Sequence, residues 1–444
     1  LKPSRAIVFV LSACAMTFPA SGGQAPSRPD VVIVTVDTLR YDRLSYHGYS
    51  RPTSPNIDRL LAAGAHFTQA RVTEPLTSPS MCSMITSLHP HEHGSSRNGL
   101  SLRPGLPSLT KVLQRRGYRT AAIVGNWTLR DKLSGLGEHF DEFQELFSRK
   151  RWLGMIGSEA TGEDLTEAAI DWLDEHAGDG EDPYLLWVHY VEPHEPYKFH
   201  PEFAERLDVG RRRNTSDSDR YDTEVAFVDH VIGKLLERIR SLSRPPLIVF
   251  ASDHGESLGE HDYFGHGRHL YEVTVHIPMS FTWPGRLEPL SIDAPASILD
   301  VAPTIFGLAG WPIPPTFRGF DWSPVLRGEA EPPAGRVLFL QAHKGAFHPG
   351  EDLKARQQGL LEVGLVDSGR KEVLRVRSDR RRLFDLAADP QELESLARLR
   401  SEPSPSLAEW LEQVEAGLAA ADDLPVPDLD EESLEKLRSL GYID

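Results

Sequence analysis

Val31-Val32-Ile33-Val34-Thr35-Val36-Asp37-Thr38 is the stretch on which the architecture turns. Its first six residues are apolar or β-branched and lack the alternation of a half-buried strand. That pattern predicts a strand covered on both faces, as in a parallel sheet. Similar runs recur at 121–124, 184–189 and 247–251, with helical patterns at 57–63, 109–116, 165–175 and 223–239. Strands alternating with helices indicate an α/β fold, with a mostly parallel central sheet flanked by helices.

The pattern changes after about residue 330. Pro332-Pro333-Ala334-Gly335 reads as a linker, followed by antiparallel strand patterns at 337–341, 359–366 and 373–377. Helical patterns at 406–419 and 431–440 complete a smaller C-terminal α+β subdomain. The expected organisation is an export segment and tether over 1–29, a catalytic domain over 30–330 and the subdomain over 331–444. Arg211-Arg212-Arg213-Asn214 reads as a solvated loop.

Lys2 and Arg5 precede a short apolar run at 6–13, too short for a membrane span. Leu11-Ser12-Ala13-Cys14 resembles a bacterial lipoprotein box, which would leave a lipidated Cys14 as a membrane attachment. The alternative is an ordinary secretory signal cut near Ala20. Either reading places the protein outside the cytoplasm, in the periplasm or at the cell surface. Cys14 and Cys82 are the only cysteines, so neither a disulfide framework nor a cysteine-based zinc site is expected. Net charge −17, from 48 basic and 65 acidic residues, argues against a nucleic-acid partner. It leaves room for an anionic ester substrate, because a local metal site can outweigh the overall charge.

Ligands of open α/β sheets bind beyond the carboxyl ends of the strands. Three runs end there in chemistry-bearing residues: Asp37-Thr38, Ser252-Asp253-His254-Gly255-Glu256, and His189-Tyr190-Val191-Glu192-Pro193-His194. Carboxylates and imidazole on one rim suit a divalent metal. Singly, each is also explained as a turn or cap residue. Glu74-Pro75-Leu76-Thr77-Ser78-Pro79-Ser80 leads into a helical pattern. Such a turn sets hydroxyls and free N–H groups at a helix N-terminus, which favours an anion; a plain N-cap by Thr77 or Ser78 is the simpler alternative. His189, inside an apolar run, reads as a hydrogen-bonded core residue. His89, His91 and His93 read as surface residues after a helix end.

The residues 31–49 resemble the opening of the sulfatase family, within the alkaline-phosphatase superfamily. Residues 77–94 resemble its nucleophile motif and following helix, and 247–256 its second metal strand. Residues 265–272, 277–278 and 383–392 resemble later blocks. The resemblance implies a divalent metal (Ca²⁺, Mg²⁺, Mn²⁺ or Zn²⁺) held by Asp37, Asp253 and His254, with Thr77 as nucleophile and additional ligand. His266, with Glu192 or His194, would hold a second metal as in two-metal relatives; the alternative is a polar, glycine-rich loop. Asn98 resembles a phosphate-contacting Asn of the phosphodiesterase branch, and Asn126 falls in the block that grips the substrate.

The sequence departs from that family at telling places. Thr38 replaces an Asp of the usual metal pair, and Met81 replaces the motif Arg. Thr77 stands where Cys or Ser becomes formylglycine, a conversion unavailable to threonine. Gly125-Asn126-Trp127-Thr128 lacks the Lys and His that grip sulfate, and Gly267 replaces a later Lys. A threonine ester must be resolved by water or another acceptor at the central atom. The expectation is a metal-dependent hydrolase of sulfate or phosphate esters. Alternatives are a phosphodiesterase or phosphonate hydrolase, a phosphoethanolamine-type transferase, and an inactive binding homologue.

Overall fold

The computed structural model describes residues 28–147, 160–177, 182–210, 215–346, 359–378, 380–397 and 401–420. The export segment before residue 28, the Arg211–Asn214 loop and the 431–440 helix lie outside them.

The opening run forms β1 (Val31–Val36) in the middle of an eight-stranded sheet. The other members are β2 (Ala65–Arg71), β3 (Arg119–Val124), β4 (Glu142–Glu145), β5 (Tyr184–Tyr190) and β6 (Leu247–Ser252). After a short hairpin, β7 (Ser257–Leu258) and β8 (Phe264–Gly265), come β9 (Met279–Thr282) and β10 (Leu290–Ser297). The order is β10-β2-β9-β6-β1-β5-β3-β4. β1 pairs in parallel with β5 and β6, placing Val36 beside Tyr190 and Ser252. Within the eight-stranded sheet β9 alone runs antiparallel to its neighbours, β2 and β6. The expected α/β class and mostly parallel sheet are therefore observed.

The unbroken apolar runs have a direct cause. In β1, Val31 and Ile33 enter the core on one face, while Val32, Val34 and Val36 enter the core on the other. β6 divides likewise, Leu247, Val249 and Ala251 against Ile248 and Phe250. Every position of a doubly covered strand is buried, so alternation disappears. One face is covered by the helices Thr77–Thr86 and Val301–Leu308, the other by Pro55–Ala62, Gly162–His176 and Asp217–Arg240. The long helix starts on a side-chain cap from Ser216 and carries Asp217 and Asp219 in its first turn and Arg238 and Arg240 in its last, matching its dipole.

β11 (Leu338–His343), β12 (Leu360–Asp367), β13 (Arg370–Arg375) and β14 (Arg380–Asp385) make the expected C-terminal antiparallel sheet. One face packs on the helix Pro405–Ala419 through Leu374, Leu407, Trp410 and Val414. Leu338, Leu340, Ala342 and Val373 instead join the core of the main sheet.

His89, His91 and His93 depart from the expected surface position. His91 and His93 are buried, and the rings of His89 and His91 lie 4.7 and 5.0 Å from Trp410. The C-terminal helix, distant in sequence, covers them. Burial drops the His93 pKa to about 3, so the ring is neutral. His189 is the expected core residue: its Nδ1 meets Thr35 Oγ1 at 2.8 Å.

Candidate active site

The ends of β1 and β6 are adjacent, so Asp37 and Asp253 are delivered side by side. The amide of Asp37 donates to Tyr190 O at 2.9 Å and that of Asp253 to Val36 O at 3.2 Å, continuing the ladder into the site. Thr38 then turns into the left-handed region, φ 52°. A β-branched residue is held there at a cost of about 1–3 kcal/mol. The turn aims the Thr38 amide at Asp253 Oδ1, 3.0 Å away, and the His254 amide reaches the same oxygen at 2.7 Å. Asp253 Oδ2 is left buried without a hydrogen bond.

Opposite these carboxylates, Thr77 begins the helix Thr77–Thr86, all of it buried. Neither hydroxyl caps the helix. Leu76 occupies the N-cap, Ser78 Oγ donates to Thr128 O at 2.7 Å, and Thr77 Oγ1 lies 3.4 Å from His254 Nε2. His254 Nε2 is also 3.5 Å from Asp253 Oδ2 and 3.9 Å from Asp37 Oδ1. Its Nδ1 donates to Gly255 O at 2.9 Å, which turns the Nε2 lone pair inward. Burial, reinforced by the neighbouring His266, holds His254 well below the ordinary imidazole value, hence neutral. Burial also raises the Asp253 carboxyl. Thr77, Asp37, Asp253 and His254 are each fully buried.

This donor set suits a divalent cation. Ligand atoms of Asp37, Asp253 and His254 all lie within 4.8 Å of one another. Two buried carboxylates and a buried oxygen without a hydrogen bond need a positive partner, since a buried charge is costly unless paired or coordinated.

The remaining predicted residues divide. Asn98 is buried behind the Thr77 turn; its Oδ1 accepts from Ser78 N at 3.0 Å and its Nδ2 has no hydrogen bond. Asn126 is bound on both sides within the protein. Its Nδ2 donates to Asp37 Oδ2, and its Oδ1 accepts from Thr128 N and Oγ1 at 2.7 Å. It orients the Asp37 carboxylate.

The second-metal trio does not assemble. Among the described residues, Asp37, Asp253 and His254 form the one group of ligands close enough to share an ion. Glu192 turns to the start of the helix Gly162–His176, where Oε1 accepts from Gly162 N at 3.2 Å. Burial, then Glu224, pushes its pKa up to about 7. His194 and His266 do lie together, ring centroids 5.3 Å apart, and His266 is 4.4 Å from the ring of His254. The partner of His266 is Glu256, Nδ1 to Oε1 3.1 Å, a carboxylate the motif contained without showing its role. Burial opposes both charges, but each partner outweighs it, raising His266 and lowering Glu256.

Comparison with known proteins supplies the family. The model described as Sulfatase matches residues 29–311, well over half of the chain. The chain belongs to the sulfatase family. A second model, N-sulphoglucosamine sulphohydrolase, C-terminal, matches residues 259–415. Human arylsulfatase A is 27% identical, with 73% of this chain and 73% of that protein covered. An ulvan-active sulfatase of Formosa agariphila is 24% identical, covering 71% and 68%. A structure in complex with its substrate D-glucosamine-2-N,6-O-disulfate superposes with TM-score 0.69 at 19% identity, over 91% of this chain and 100% of that one. The phosphonate monoester hydrolase of Agrobacterium radiobacter gives 0.66 at 21% identity, over 89% and 96%. As a family member the protein is a sulfatase-like hydrolase acting on sulfate esters. The sulfatase family generally uses a divalent metal, and the Asp37–Asp253–His254 group is of the kind that could hold one.

Proposed function

We propose that this protein is a divalent-metal-dependent ester hydrolase with Thr77 as its nucleophile. The observation that carries the reading is the convergence of Thr77 Oγ1, 3.4 Å from His254 Nε2, on the Asp37–Asp253–His254 group. A bound dication would supply charge that favours the threonine alkoxide and offsets the ester oxygens. Asp37, held by Asn126, and Asp253, held by two backbone amides, are the ligands whose geometry is set in advance. The start of the Thr77–Thr86 helix adds a field favourable to an anion. In the first step a Thr77 Oγ–sulfur or Oγ–phosphorus bond forms and the ester oxygen leaves with its alcohol. Water then attacks the same central atom and frees Thr77. Two carboxylates suit Ca²⁺, Mg²⁺ or Mn²⁺, while the imidazole also admits Zn²⁺.

A second reading, hydrolysis of phosphodiesters or phosphonates, is favoured by Asn98, whose buried Nδ2 remains available as a donor beside Ser78. The absent sulfate-gripping Lys and His point the same way. The N-terminal pattern supports export, with or without a lipid on Cys14, and the acidic charge supports the absence of a nucleic-acid partner. No helix of the described residues is long and apolar enough to cross a membrane.

The test is an assay of purified protein, with and without chelator, on p-nitrophenyl sulfate, p-nitrophenyl phosphate, a phosphodiester and a phosphonate. Metal-dependent turnover is expected, abolished in Thr77→Ala. Full activity in Thr77→Ala refutes the nucleophile; no turnover of any ester with metals supplied favours an inactive binding homologue.

A further inference from the structure

One buried assembly beside Thr77 has no part in the chemistry above. Glu74, three residues earlier in the chain, and His343, at the end of β11, are both fully buried. Glu74 Oε1 accepts from His343 Nδ1 at 2.9 Å and from the His343 amide at 3.1 Å. Glu74 Oε2 accepts from Gln341 Nε2 at 3.1 Å, and Gln341 Oε1 accepts from His91 Nδ1 at 3.0 Å. The carboxylate thus fixes the imidazole ring through Nδ1 and sets a buried counter-charge beside it. The far nitrogen, His343 Nε2, is buried with no hydrogen bond. Leaving such a group unpaired costs about 1–3 kcal/mol. Anchoring β11 does not require it, because the backbone of Gln341 already donates to Thr73 O at 2.9 Å.

The surroundings connect the end of β11 to the reactive turn. Beyond His343, the Arg97 guanidinium donates to Gly345 O at 3.2 Å and Ala346 O at 2.5 Å. The next residue, Asn98, holds the Ser78 amide and carries a second buried nitrogen without a partner. Residues 73–78, 97–98 and 341–346 are therefore stitched to one another, and Thr77 lies in the first of these segments.

We propose that His343, paired with Glu74, is a substrate-binding residue that takes up a proton with the anion and donates its Nε2–H to an oxygen of the ester, beside Asn98 Nδ2–H. The inference rests on the reading of Thr77 as the reacting centre. It makes the C-terminal sheet a contributor to the site. The ligand chemistry is an oxygen of the tetrahedral anionic group or of the attached alcohol.

Two isosteres separate recognition from architecture. In His343→Asn the amide nitrogen can replace Nδ1 and keep the Glu74 bond, while Nε2 is lost. In His343→Gln the amide nitrogen can occupy the place of Nε2. Inorganic sulfate and phosphate are titrated calorimetrically into the metal-loaded full chain, alongside KM for the turned-over ester. His343→Asn should weaken anion binding about tenfold or more, the loss of one hydrogen bond to a charged group. Melting should change little, and His343→Gln should recover most of the affinity. A rise in KM without loss of inorganic anion binding supports the contact and assigns it to the alcohol part. Wild-type anion affinity and KM in a normally folded His343→Asn overturn the proposal. If that variant does not fold, Glu74→Gln serves: weakened anion binding supports the contact, unchanged binding overturns it. Anion titration needs no turnover, so its outcome is separate from the fate of Thr77→Ala.

Discussion

Asn126 is tied to the site through both ends of its side chain. Both ends of its amide are committed, one to Asp37 and one to Thr128, so it holds the carboxylate of a proposed metal ligand in place. Such supporting partners typically govern metal affinity by about 10- to 100-fold. Asn126→Ala should therefore raise the metal concentration needed for half-maximal activity by about that factor, with kcat at saturating metal less affected. An unchanged metal titration would remove Asn126 from this role. Gly255 is a second sharp case. A Cβ there would sit 2.1 Å from Val273 O, so Gly255→Ala must displace backbone next to His254. Loss of activity and a lower melting temperature are expected together. Asp37, Asp253 and His254 stood out in the sequence because each follows a strand, and Thr77 through the resemblance to the sulfatase family. Glu256 and Glu74 were less legible: a carboxylate in a motif does not reveal that its partner is His266, ten residues on, or His343, on another sheet.

Buried ion pairs join the C-terminal sheet to the strand-and-loop layer around the site. Arg71, at the end of β2, reaches Glu272 at 2.7 Å, and Lys371 of β13 lies between Glu272 at 3.0 Å and Glu392 at 2.6 Å. Lys371 is fully buried, so Lys371→Met would leave two carboxylates short of a cation. A loss of about 3–5 kcal/mol is expected, as when one member of a buried pair is removed, measurable by denaturant unfolding. Burial would raise the Glu272 carboxyl, but Arg71 and Lys371 outweigh it and hold it well below the usual range. A depressed folded-state pKa contributes stability that is fully present above the unfolded carboxyl value, about 4.3. That contribution declines as pH falls below it, toward the folded value. Glu272→Gln should thus flatten the loss of stability between about pH 5 and pH 2. An acid-unfolding curve that keeps its wild-type slope would show that Glu272 is not a source of the acid sensitivity.

At the scale of the molecule, one core runs through both sheets. Leu338, Leu340, Ala342 and Val373 of the C-terminal sheet pack into the cluster that holds Val31, Ile33 and Trp187. A chain ended at residue 330 would expose this apolar surface and should aggregate or remain expanded, as size-exclusion chromatography would show. Metal should act on the whole fold as well. A dication at a hundred times its Kd adds about 2.7 kcal/mol if it binds the native state alone. Chelation should lower the melting temperature, and Asp253→Asn should reduce that difference. Equal melting with and without chelator would contradict metal binding at this site.

Local periodicity was sufficient for β1, β3, β5 and β6, for the long helices and for the α/β class, because a strand buried on both faces must be apolar throughout. The same reasoning singled out Asp37, Asp253 and His254, since parallel strands present their carboxyl ends on one rim, whereas Thr77 was singled out by the resemblance to the sulfatase family. β2, β4, β9 and β10 carried no comparable signal: Ala65–Arg71 and Leu290–Ser297 mix polar and apolar residues, and β10 includes Pro295 at an irregularity in its pairing. Which partner each buried polar group meets was beyond any local pattern. The packing of His89 and His91 against Trp410, the turning of Glu192 toward Gly162 and the pairing of Glu74 with His343 all join segments far apart in the chain. Short-range spacing records which face a residue occupies; the hydrogen-bond partner waiting on that face is set by packing between elements.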